Sequence, residues 1–374
     1  MKEYRIAYLM SDLPRIGPCA QTLNILCYSG LKERCIVITL YDEKNSQNSM
    51  LSEYTDAGVQ VVCLHLRNRS FALPGKKAFL RALRDYNIDI VQSFGGKTDF
   101  FAHYALKNTA IKHIIALRAL PYEEIPTRRQ RLQGLALAKL YIGMLKKSHY
   151  IIACSEHIEQ QMKNCYQIKN IVAIKNGVDI TKYNCEKKSE KDIRSTLGIA
   201  DGHIVFIWTG RICLRKRTDE LIKAFLAAER GDIELIVLGG GPQEEDSRAL
   251  AAQNRRIHFP GKTSSVQDFL WVSDVFVSSS ESEGLPNSVI EALACGLPTI
   301  LSDIPQHKET LKELPNAGIL YPLGDVASLA KIFATISKSD IEAMKKYTAG
   351  IFDSSMTMTK MAAGYRRYYD DIMK

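Results

Sequence analysis

Apolar and polar positions alternate along this chain in two rhythms. Short apolar runs, the length of buried strands, are separated by longer stretches with the spacing of amphipathic helices. This alternation is typical of strand–helix units that build a parallel sheet covered by helices. The runs predict seven strands in the first half, at residues 5–10, 35–40, 60–64, 90–93, 113–117, 150–154 and 171–174. They predict six more in the second half, at residues 204–209, 234–238, 257–259, 275–278, 299–302 and 318–320.

A segment without apolar period separates the two series of strands. After Asn176-Gly177-Val178-Asp179 the sequence becomes polar and charged (KYNCEKKSEKD). We therefore predict two Rossmann-like domains, residues 1–180 and 196–355, joined by a linker at about residues 176–195. The last stretch, residues 356–374, is expected to form a helix that packs back on the first domain. Ligands of such proteins bind in a cleft between the domains, beyond the carboxyl ends of the strands.

The composition fits two globular domains without an export signal. The 374 residues are 46% apolar and 24% charged. No apolar run approaches the ~18 residues of a membrane span, and the N-terminus lacks the apolar core of a signal peptide. The nine cysteines are scattered, without the paired short spacings of a zinc site. These features predict a cytoplasmic protein with reduced thiols.

The net charge of +9 is unevenly distributed. Residues 1–180 carry 25 lysines and arginines against 15 aspartates and glutamates, whereas the remainder is close to neutral. A one-sided positive field indicates an anionic partner, which can be nucleic acid, a phosphorylated substrate or an anionic membrane surface.

The strongest candidate for chemistry in the second half follows the apolar run DVFVSS. Glu283 and Gly284 fall in a predicted loop, and a helix is predicted to begin at Pro286 or Asn287. Glu291 lies more than one turn inside that helix, whose N-terminus can bind phosphate through its N–H groups. The two carboxylates are too far apart for an acid pair, but they suit hydroxyls at two ends of one polyhydroxy ligand. The alternative is a loop glutamate and a solvated helix glutamate.

A second candidate follows the strand predicted at residues 204–209. Gly210-Arg211 comes directly after that strand, and Lys216 lies five residues beyond the arginine. Arginine offers phosphate a planar fork and lysine a compact charge. Two cations at a strand's carboxyl end can neutralise a leaving diphosphate without a metal ion. The alternative is a basic turn screened by solvent.

In this order and separation, the two segments resemble the donor site of glycosyltransferase family 4, the large retaining family with the GT-B fold. The family's pattern is Gly-Arg with a lysine five residues after the arginine, then Glu-Gly with a second glutamate eight residues on. It is met here by Gly210-Arg211, Lys216, Glu283-Gly284 and Glu291. Residues 176–179 (NGVD), 238–242 (LGGGP) and 317–325 (AGILYPLGD) extend the resemblance over about residues 176–330.

The resemblance implies an α/β protein of GT-B type, with two Rossmann-like domains facing each other across a cleft. The first domain would bind the acceptor and the second the donor. The implied reaction moves a sugar, with retained anomeric configuration, from a nucleoside-diphosphate sugar to a glycan or to a polyprenyl- or other lipid-linked acceptor. UDP is the expected nucleotide, and cell-envelope polysaccharide, lipopolysaccharide or glycolipid is the expected product. The nucleotide sugar is a co-substrate, and neither a cofactor nor a metal ion is expected.

The resemblance also implies a role for each matching residue. Arg211 and Lys216 would bind the diphosphate, and Glu283 would contact the transferred sugar; these three are the expected catalytic residues. Glu291 would bind the ribose hydroxyls, and the nucleobase would lie near Lys262. The backbone that would help to hold phosphate and sugar is that of Gly284, Leu285, Pro286 and Asn287.

The first half departs from the family's pattern. The Gly-Gly loop that usually follows the first strand is reduced here to Gly17, which is expected on the donor side. Two histidines that the family often has, one after the strand at residues 90–93 and one at position 118, are absent. Arg118 stands at the second place. At a strand end it suggests an anionic group on the acceptor, such as a phosphate; a structural arginine is the alternative.

Two basic segments of the first half suggest a membrane surface. The helix predicted at residues 76–85 puts Lys77, Arg81 and Arg84 on one face and apolar residues largely on the other. A second region, residues 127–147, combines basic residues with a heavily apolar centre. Helices of this kind lie on anionic lipid headgroups; the alternative is core-packed helices with solvated flanks. The expected location is cytoplasmic and peripheral on the inner face of the cell membrane.

Other classes of protein fit the sequence less well. A dinucleotide-dependent dehydrogenase needs a glycine-rich turn after its first strand, which Pro18 interrupts. A nucleic-acid-binding protein would explain the basic half but lacks the accompanying motifs, so no nucleic acid partner is expected. A catalytically silent GT-B scaffold that binds only the sugar nucleotide is the remaining alternative. All four donor positions are filled, which favours an enzyme.

Overall fold

The computed structural model describes residues 3–42, 49–66, 73–125, 131–183, 190–251 and 254–374. They divide into two compact units, one formed by Met1–Gly177 with Met358–Lys374 and the other by Val178–Thr357. We call these the N-terminal unit and the C-terminal unit. Residues 184–189 of the predicted linker and residues 126–130 of the predicted basic region lie outside the described residues.

The N-terminal unit is built on a seven-stranded parallel sheet. Its strands are β1 (Ile6–Met10), β2 (Cys35–Thr39), β3 (Gln60–Cys63), β4 (Ile90–Phe94), β5 (Lys112–Leu117), β6 (Tyr150–Ala153) and β7 (Ile171–Ala173). Their order in the sheet is β3-β2-β1-β4-β5-β6-β7. The helices of its first segment are α1 (Gly17–Tyr28), α2 (Leu51–Asp56), α3 (Leu73–Asp85), α4 (Gly96–Ala105), α5 (Pro121–Glu124), α6 (Arg131–Leu145) and α7 (Glu156–Tyr166).

The C-terminal unit is built on a six-stranded parallel sheet. Its strands are β8 (Ile204–Arg211), β9 (Ile233–Gly240), β10 (Ile257–Gly261), β11 (Val275–Ser278), β12 (Thr299–Ser302) and β13 (Gly318–Tyr321). Their order is β10-β9-β8-β11-β12-β13. Its helices are α8 (Ile180–Tyr183), α9 (Glu190–Leu197), α10 (Thr218–Ala227), α11 (Glu244–Ala251), α12 (Val266–Trp271), α13 (Asn287–Ala294), α14 (Pro305–Glu313), α15 (Val326–Thr335) and α16 (Lys338–Thr348).

The last helix, α17 (Met358–Met373), belongs to the N-terminal unit and packs against α1. Its buried tyrosines reach the sheet through a chain of hydroxyl contacts. The Tyr369 hydroxyl donates to Gln92 Oε1 over 2.7 Å and lies 3.0 Å from the hydroxyl of Tyr8. The two tyrosine hydroxyls stay hydrogen-bonded inside an apolar core, so burying them leaves neither hydroxyl without a partner.

All thirteen predicted strands are present, with ends within two residues of those predicted, which confirms the α/β class. The apolar runs identified them because both faces of a parallel sheet are covered, so nearly every residue of a central strand is buried. Every residue of β1, β2 and β4 is buried. None of the described helices combines the length and apolar character needed to cross a bilayer.

Each sheet has one point where the order of strands reverses. In the N-terminal unit it lies between the neighbours β1 and β4, and in the C-terminal unit between β8 and β11. The loops that leave such a pair of strands diverge to opposite faces of the sheet and open a crevice at their carboxyl ends, where ligands bind. The residues that follow β8 and β11 are therefore the first to consider.

A pair of glycines lets β8 and β9 run side by side to their ends. Gly210 pairs with Gly239, and Arg211 with Gly240. A Cβ atom on Gly239 would lie 1.9 Å from the Gly210 carbonyl oxygen, and the φ angle of Gly239 is +143°. No side chain fits there, so the glycine turn at residues 238–242 is required by a close backbone approach.

We predict that Gly239→Ala destabilises the protein by about 3 kcal/mol, because it combines a backbone clash with an unfavourable φ angle. Gly231→Ala is the matched control, since a Cβ at Gly231 meets nothing within 4 Å. That control should change the free energy of unfolding by about 0.5 kcal/mol or less. Urea denaturation of both variants measures the difference, and equal stabilities would show that β8 and β9 do not approach in this way.

Candidate functional site

Arg211 is the last residue of β8 and stands at the strand-order reversal of the C-terminal unit. Its side chain is exposed, and no hydrogen bond or ion pair joins it to another of the described residues. A guanidinium at this edge is available to an anionic ligand, because no carboxylate of the described residues neutralises it.

Glu283, in the loop after β11, is held by two cations from the turn after β8. Lys216 Nζ lies 2.5 Å from Glu283 Oε1, and Arg215 Nη1 lies 3.1 Å from Oε2. Arg215 also donates to the carbonyl oxygen of Ser282. The Glu283 side chain is only 7% exposed. The structure thus joins two residues that the sequence had treated as separate phosphate and sugar ligands.

This pairing decides the charge of Glu283. Burial alone would raise the pKa of the carboxyl group, but Lys216 and Arg215 outweigh it and lower the pKa to about 2. Glu283 is therefore an anion at any physiological pH. A glutamate in a loop would ordinarily be replaced with little loss of stability. Glu283 is buried between two cations, so we expect its replacement to destabilise the protein substantially.

Ser279 connects the same two loops through the backbone. Its hydroxyl oxygen lies 2.9 Å from the carbonyl oxygens of both Lys216 and Arg217. The amide of Glu281 donates to the carbonyl of Arg215 over 2.9 Å. These contacts fix the basic turn relative to the loop after β11, so the ion pair is part of a rigid arrangement rather than a surface contact.

The helix after this loop, α13, begins at Asn287 with Pro286 as its N-cap, as the sequence predicts. Pro286 has no side-chain acceptor for the first N–H groups of the helix. Gly284 is half-buried, and Leu285, 4% exposed, packs its side chain into the core of the unit. Leu285 can therefore contribute to a ligand site only through its backbone.

Glu291 lies one turn further along α13 and is partly buried. Burial raises the pKa of its carboxyl group to about 7, although the charge of Lys182 opposes the shift. The pKa values of Glu283 and Glu291 are thus shifted in opposite directions within one unit. Glu283 is ionised at neutral pH, whereas Glu291 titrates near neutrality.

Lys262 follows β10 and is exposed. Its side chain lies against Gly240, since a Cβ atom placed there would be 3.0 Å from Lys262 Cε. Gly240 is the residue paired with Arg211 in the neighbouring strand. Lys262 therefore lies at the same sheet edge as Arg211, two strands further from the reversal.

Sequence reasoning missed Arg215 and His307. Arg215 adjoins Lys216 in the same basic turn, and that adjacency was the available signal. His307 of α14 is fully buried, and its Nδ1 lies 2.8 Å from the Ser302 carbonyl oxygen. Burial lowers its pKa to about 4, against the opposing charge of Glu283. Its Nε2 atom has no partner among the described residues, and no sequence signal pointed to it.

Gly17 and Arg118 belong to the N-terminal unit. Gly17 is the first residue of α1, directly after the loop that leaves β1. Arg118 follows β5, where Nη1 donates to Asn176 Oδ1 over 2.8 Å and the guanidinium Cζ lies 5.3 Å from the centre of the Phe94 ring. Among the described residues no carboxylate pairs with Arg118, so its charge has only neutral partners.

Among the residues that the structure describes, one group has the spacing of metal ligands: Asp42, Cys63 and His65. It lies at the carboxyl ends of β2 and β3 in the N-terminal unit. His65 Nδ1 and Asp42 Oδ1 are 2.5 Å apart, so these two ligand atoms already satisfy each other in a hydrogen bond. None of the three residues belongs to the predicted donor site.

Two family models match the chain. Residues 29–182 match "Glycosyltransferase Family 4", and residues 203–338 match "Glycosyl transferases group 1". The first match falls almost entirely within the N-terminal unit, and the second lies within the C-terminal unit. The chain belongs to glycosyltransferase family 4.

Several named proteins are similar to this chain. An alpha-monoglucosyldiacylglycerol synthase of Streptococcus pneumoniae is 25% identical over 74% of this chain and 65% of its own. An N-acetylgalactosaminyltransferase of Campylobacter jejuni, named for N,N'-diacetylbacillosaminyl-diphospho-undecaprenol, is 26% identical over 72% of this chain and 76% of its own. The first three relatives are matched over 54% to 65% of their own length, so the chain spans less than two thirds of each.

Solved structures share the fold. A glycosyltransferase from Rickettsia africae aligns over 100% of both chains with a TM-score of 0.80 and 17% identity. Anabaena HepE in complex with UDP and glucose aligns over 99% of this chain and 100% of its own, with a TM-score of 0.82 and 17% identity. These likenesses confirm the GT-B fold.

We predict that Glu283→Gln lowers the free energy of unfolding by about 3 kcal/mol at neutral pH, because it leaves two partly buried cations without their anion. The pKa of Glu283 falls from 4.5 to about 2 in the folded protein. The stabilisation is therefore complete above about pH 4.5 and is lost as the pH falls towards 2. Urea denaturation between about pH 7 and pH 3 measures this dependence.

Glu281→Gln is the matched control, because Glu281 is exposed and lies only two residues earlier in the same loop. Its stability should stay within about 0.5 kcal/mol of the wild type. Equal effects of the two replacements, or a Glu283 effect that does not shrink in acid, would contradict the buried ion pair.

Proposed function

We propose that this protein is a retaining glycosyltransferase that moves a sugar from a UDP-sugar to a glycan or lipid-linked acceptor of the cell envelope. The observation that carries the proposal is the buried Glu283, kept ionised by Lys216 and Arg215. These two cations lie in the turn that follows Arg211, whose side chain is exposed and has no partner among the described residues. Membership of family 4 supports it, as do relatives named for glycolipid and polyprenyl-linked substrates and a neighbour solved with UDP and glucose.

Each residue of the proposed donor site has a role that agrees with its surroundings in the structure. Arg211, whose guanidinium has no partner among the described residues, and Lys216 bind the diphosphate, together with the backbone at the start of α13. Glu283 accepts hydroxyls of the transferred sugar, for which an ionised carboxylate is the stronger acceptor. Glu291 accepts ribose hydroxyls, and the uracil lies near Lys262. No metal ion is required, since these cations supply the charge that the diphosphate needs.

The reaction we propose is a front-face substitution at the anomeric carbon. The bond from that carbon to the diphosphate oxygen breaks first, and negative charge grows on the leaving UDP while the sugar becomes oxocarbenium-like. Arg211 and Lys216, already in place, stabilise the departing charge without reorganisation. The acceptor oxygen then bonds to the anomeric carbon on the same face, and its proton passes to the departing phosphate oxygen.

The acceptor side is assigned to the N-terminal unit. Arg118 has a guanidinium with only neutral partners among the described residues, at the carboxyl end of β5. A cation in this setting suits a phosphate, such as the diphosphate of a polyprenyl-linked acceptor.

We predict that UDP-sugars raise the melting temperature of the purified protein and that GDP- and ADP-sugars do not. Arg211→Ala should weaken UDP binding at least tenfold, because one charge-assisted phosphate contact contributes about 1.5 to 3 kcal/mol. Its own melting temperature should stay that of the wild type, since Arg211 is exposed and unpaired among the described residues. Thermal shift and calorimetric titration with UDP measure both.

Arg248→Ala is the matched control, an exposed arginine of α11 in the same unit that pairs with Glu244. It should bind UDP like the wild type. If Arg211→Ala binds UDP normally, the assigned phosphate site is wrong. If the wild type binds UDP-sugars but transfers no sugar to any cell-envelope extract, the protein is a binding scaffold rather than an enzyme.

The N-terminal unit has a surface suited to an anionic membrane, where a lipid-linked acceptor would be found. Lys77, Arg81 and Arg84 are exposed along one face of α3, while Phe79 and Leu83 are buried on the other. On α6 three leucines remain exposed without being covered by the rest of the unit: Leu132 (83%), Leu140 (65%) and Leu135 (38%). Exposed apolar side chains beside basic ones are what interfacial helices present to lipid.

We predict that replacing Lys77, Arg81 and Arg84 by glutamine weakens binding to vesicles rich in phosphatidylglycerol roughly 100-fold, at about 1 kcal/mol per charge. Binding to neutral phosphatidylcholine vesicles should be weak for both proteins, and UDP binding should be unchanged. Vesicle flotation at low and high salt measures the effect.

The control triple variant replaces Lys312, Lys331 and Lys338, exposed lysines of the C-terminal unit, and removes the same charge. Vesicle binding that falls equally in both triple variants would reflect net charge alone and contradict the α3 surface. Replacing Leu132 and Leu140 by serine keeps every charge and tests whether the leucines of α6 enter the lipid.

A further inference from the structure

Three side chains of different chemistry meet at the side of the N-terminal sheet where β3 is the last strand. Asp42 follows β2, Cys63 ends β3, and His65 lies two residues further on. They offer a carboxylate oxygen, a thiol sulfur and an imidazole nitrogen, which all lie within 4.8 Å of one another. The donor residues belong to the C-terminal unit, so this group needs an explanation of its own.

One oxygen atom holds the other two ligand atoms. The Cys63 thiol donates to Asp42 Oδ1, with Sγ 3.6 Å away, and His65 Nδ1 lies 2.5 Å from the same oxygen. Each contact is made through one proton. Sulfur and imidazole nitrogen bind metal ions at the position where such a proton is lost. A divalent cation can therefore take the place of the two protons between these atoms.

The backbone fixes the residues that carry these ligand atoms. Leu64 and Leu66, the neighbours of His65, donate their N–H groups to carbonyl oxygens of the β2 segment over 2.9 and 2.8 Å. Tyr41, the neighbour of Asp42, donates to the segment after β1 over 3.0 Å. The backbone is therefore ordered before any ligand arrives, which lowers the cost of assembling a site.

The Cys63 sulfur has a second partner. His65 has a φ angle of +51°, and in this conformation its N–H group donates to Cys63 Sγ over 3.4 Å. A metal-bound thiolate accepts hydrogen bonds of this kind, and such outer partners orient the ligand and support its affinity for the metal. The backbone of His65 thus supports one ligand while its side chain supplies another.

We propose that Asp42, Cys63 and His65 bind a zinc ion, with water in the fourth position of a tetrahedron. A thiolate ligand favours zinc over magnesium or calcium, and the set of sulfur, nitrogen and oxygen is one that zinc accepts. A thiolate and a carboxylate together carry the two negative charges that balance the dication. This site is independent of the proposed function, and it lies outside the residues assigned to the donor.

The distances suit a zinc ion after a small movement. Zinc lies about 2.3 Å from sulfur and about 2.0 to 2.2 Å from nitrogen and oxygen, so its ligand atoms are about 3.3 to 3.6 Å apart. The separation of Sγ and Oδ1, 3.6 Å, already meets this requirement. His65 Nδ1 and Asp42 Oδ1 have to separate by about 1 Å. Both side chains are largely exposed, 72% and 68%, so no packing opposes that movement.

The protons balance in this exchange. The S–H bond of Cys63 breaks as the zinc–sulfur bond forms, and the thiol proton passes to solvent. A neutral His65 ring loses its proton from Nδ1 and takes one on Nε2, so the imidazole stays neutral. The spacing of the sequence does not reveal the site, because Asp42 precedes Cys63 by 21 residues and only the pairing of β2 with β3 brings them together.

The test uses the full chain, stripped of metal with a chelator and kept reduced with a phosphine. Calorimetric titration with Zn²⁺ should show one tight site. Co²⁺ should give the visible absorption of a tetrahedral ion and a near-ultraviolet thiolate charge-transfer band. In Cys63→Ser this band should be absent and Zn²⁺ affinity should fall more than about 100-fold, since loss of an outer partner alone costs about 10- to 100-fold.

Cys165→Ser is the matched control, because it removes another exposed thiol of the same unit, one that contacts Gln161. It should bind both metals like the wild type. His65→Asn is a second ligand variant, since asparagine tolerates a positive φ angle, and it should lose Zn²⁺ binding as Cys63→Ser does. Without metal all variants should melt with the wild type, and Zn²⁺ should raise the melting temperature only of the wild type and the control.

The outcomes separate this site from the proposed donor site. Equal Zn²⁺ affinity in the wild type and Cys63→Ser, or a wild-type Co²⁺ spectrum without the charge-transfer band, overturns the zinc site. UDP binding should be the same in every variant, so that result leaves the proposed glycosyltransferase intact. A wild type that binds Zn²⁺ as expected but no UDP supports the zinc site and contradicts the proposed donor instead.

Discussion

The structure of the C-terminal unit depends on one buried carboxylate, Glu283, and on the two cations that keep it charged. An ionised group in an apolar interior is stable only with opposite charge close by. Lys216 and Arg215 provide that charge from a turn 67 residues earlier in the chain. The loop after β11 and the turn after β8 must therefore lie together, and the contacts of Ser279 with the same turn reinforce this constraint.

Sheet topology decides where this constraint acts. Because β8 and β11 are neighbours at the strand-order reversal, the loops that leave them meet at the carboxyl edge of the sheet, which is where ligands of such folds bind. The close approach of Gly210 and Gly239 lets β8 and β9 extend to a common edge, which carries Arg211. Cations, an ionised carboxylate and the start of a helix thus meet at the end of one sheet, an arrangement suited to a ligand with phosphate at one end and hydroxyls at the other.

The two units carry different kinds of information about function. In the C-terminal unit the central carboxylate, Glu283, is buried, paired with two cations and held by contacts between its loop and the basic turn, as a site for one defined ligand requires. In the N-terminal unit the distinctive features lie at the surface, in the basic face of α3 and the uncovered leucines of α6. An isolated cation, Arg118, with neutral partners among the described residues, stands at a strand end. This contrast agrees with the proposal that the C-terminal unit binds a nucleotide donor and the N-terminal unit a lipid-linked acceptor.

The sequence by itself determined the strands, the α/β class and the family, because buried parallel strands are continuous apolar runs and the donor motif has a fixed spacing. It also predicted Arg211, Lys216, Glu283 and Glu291 as one group. It could not predict that Lys216 and Glu283 pair with each other, or that Arg215 and His307 lie close to Glu283. Those contacts join residues far apart in the chain, and they depend on strand order and helix packing. Only the tertiary structure brings such residues together, and their burial then sets the charge of each carboxyl group.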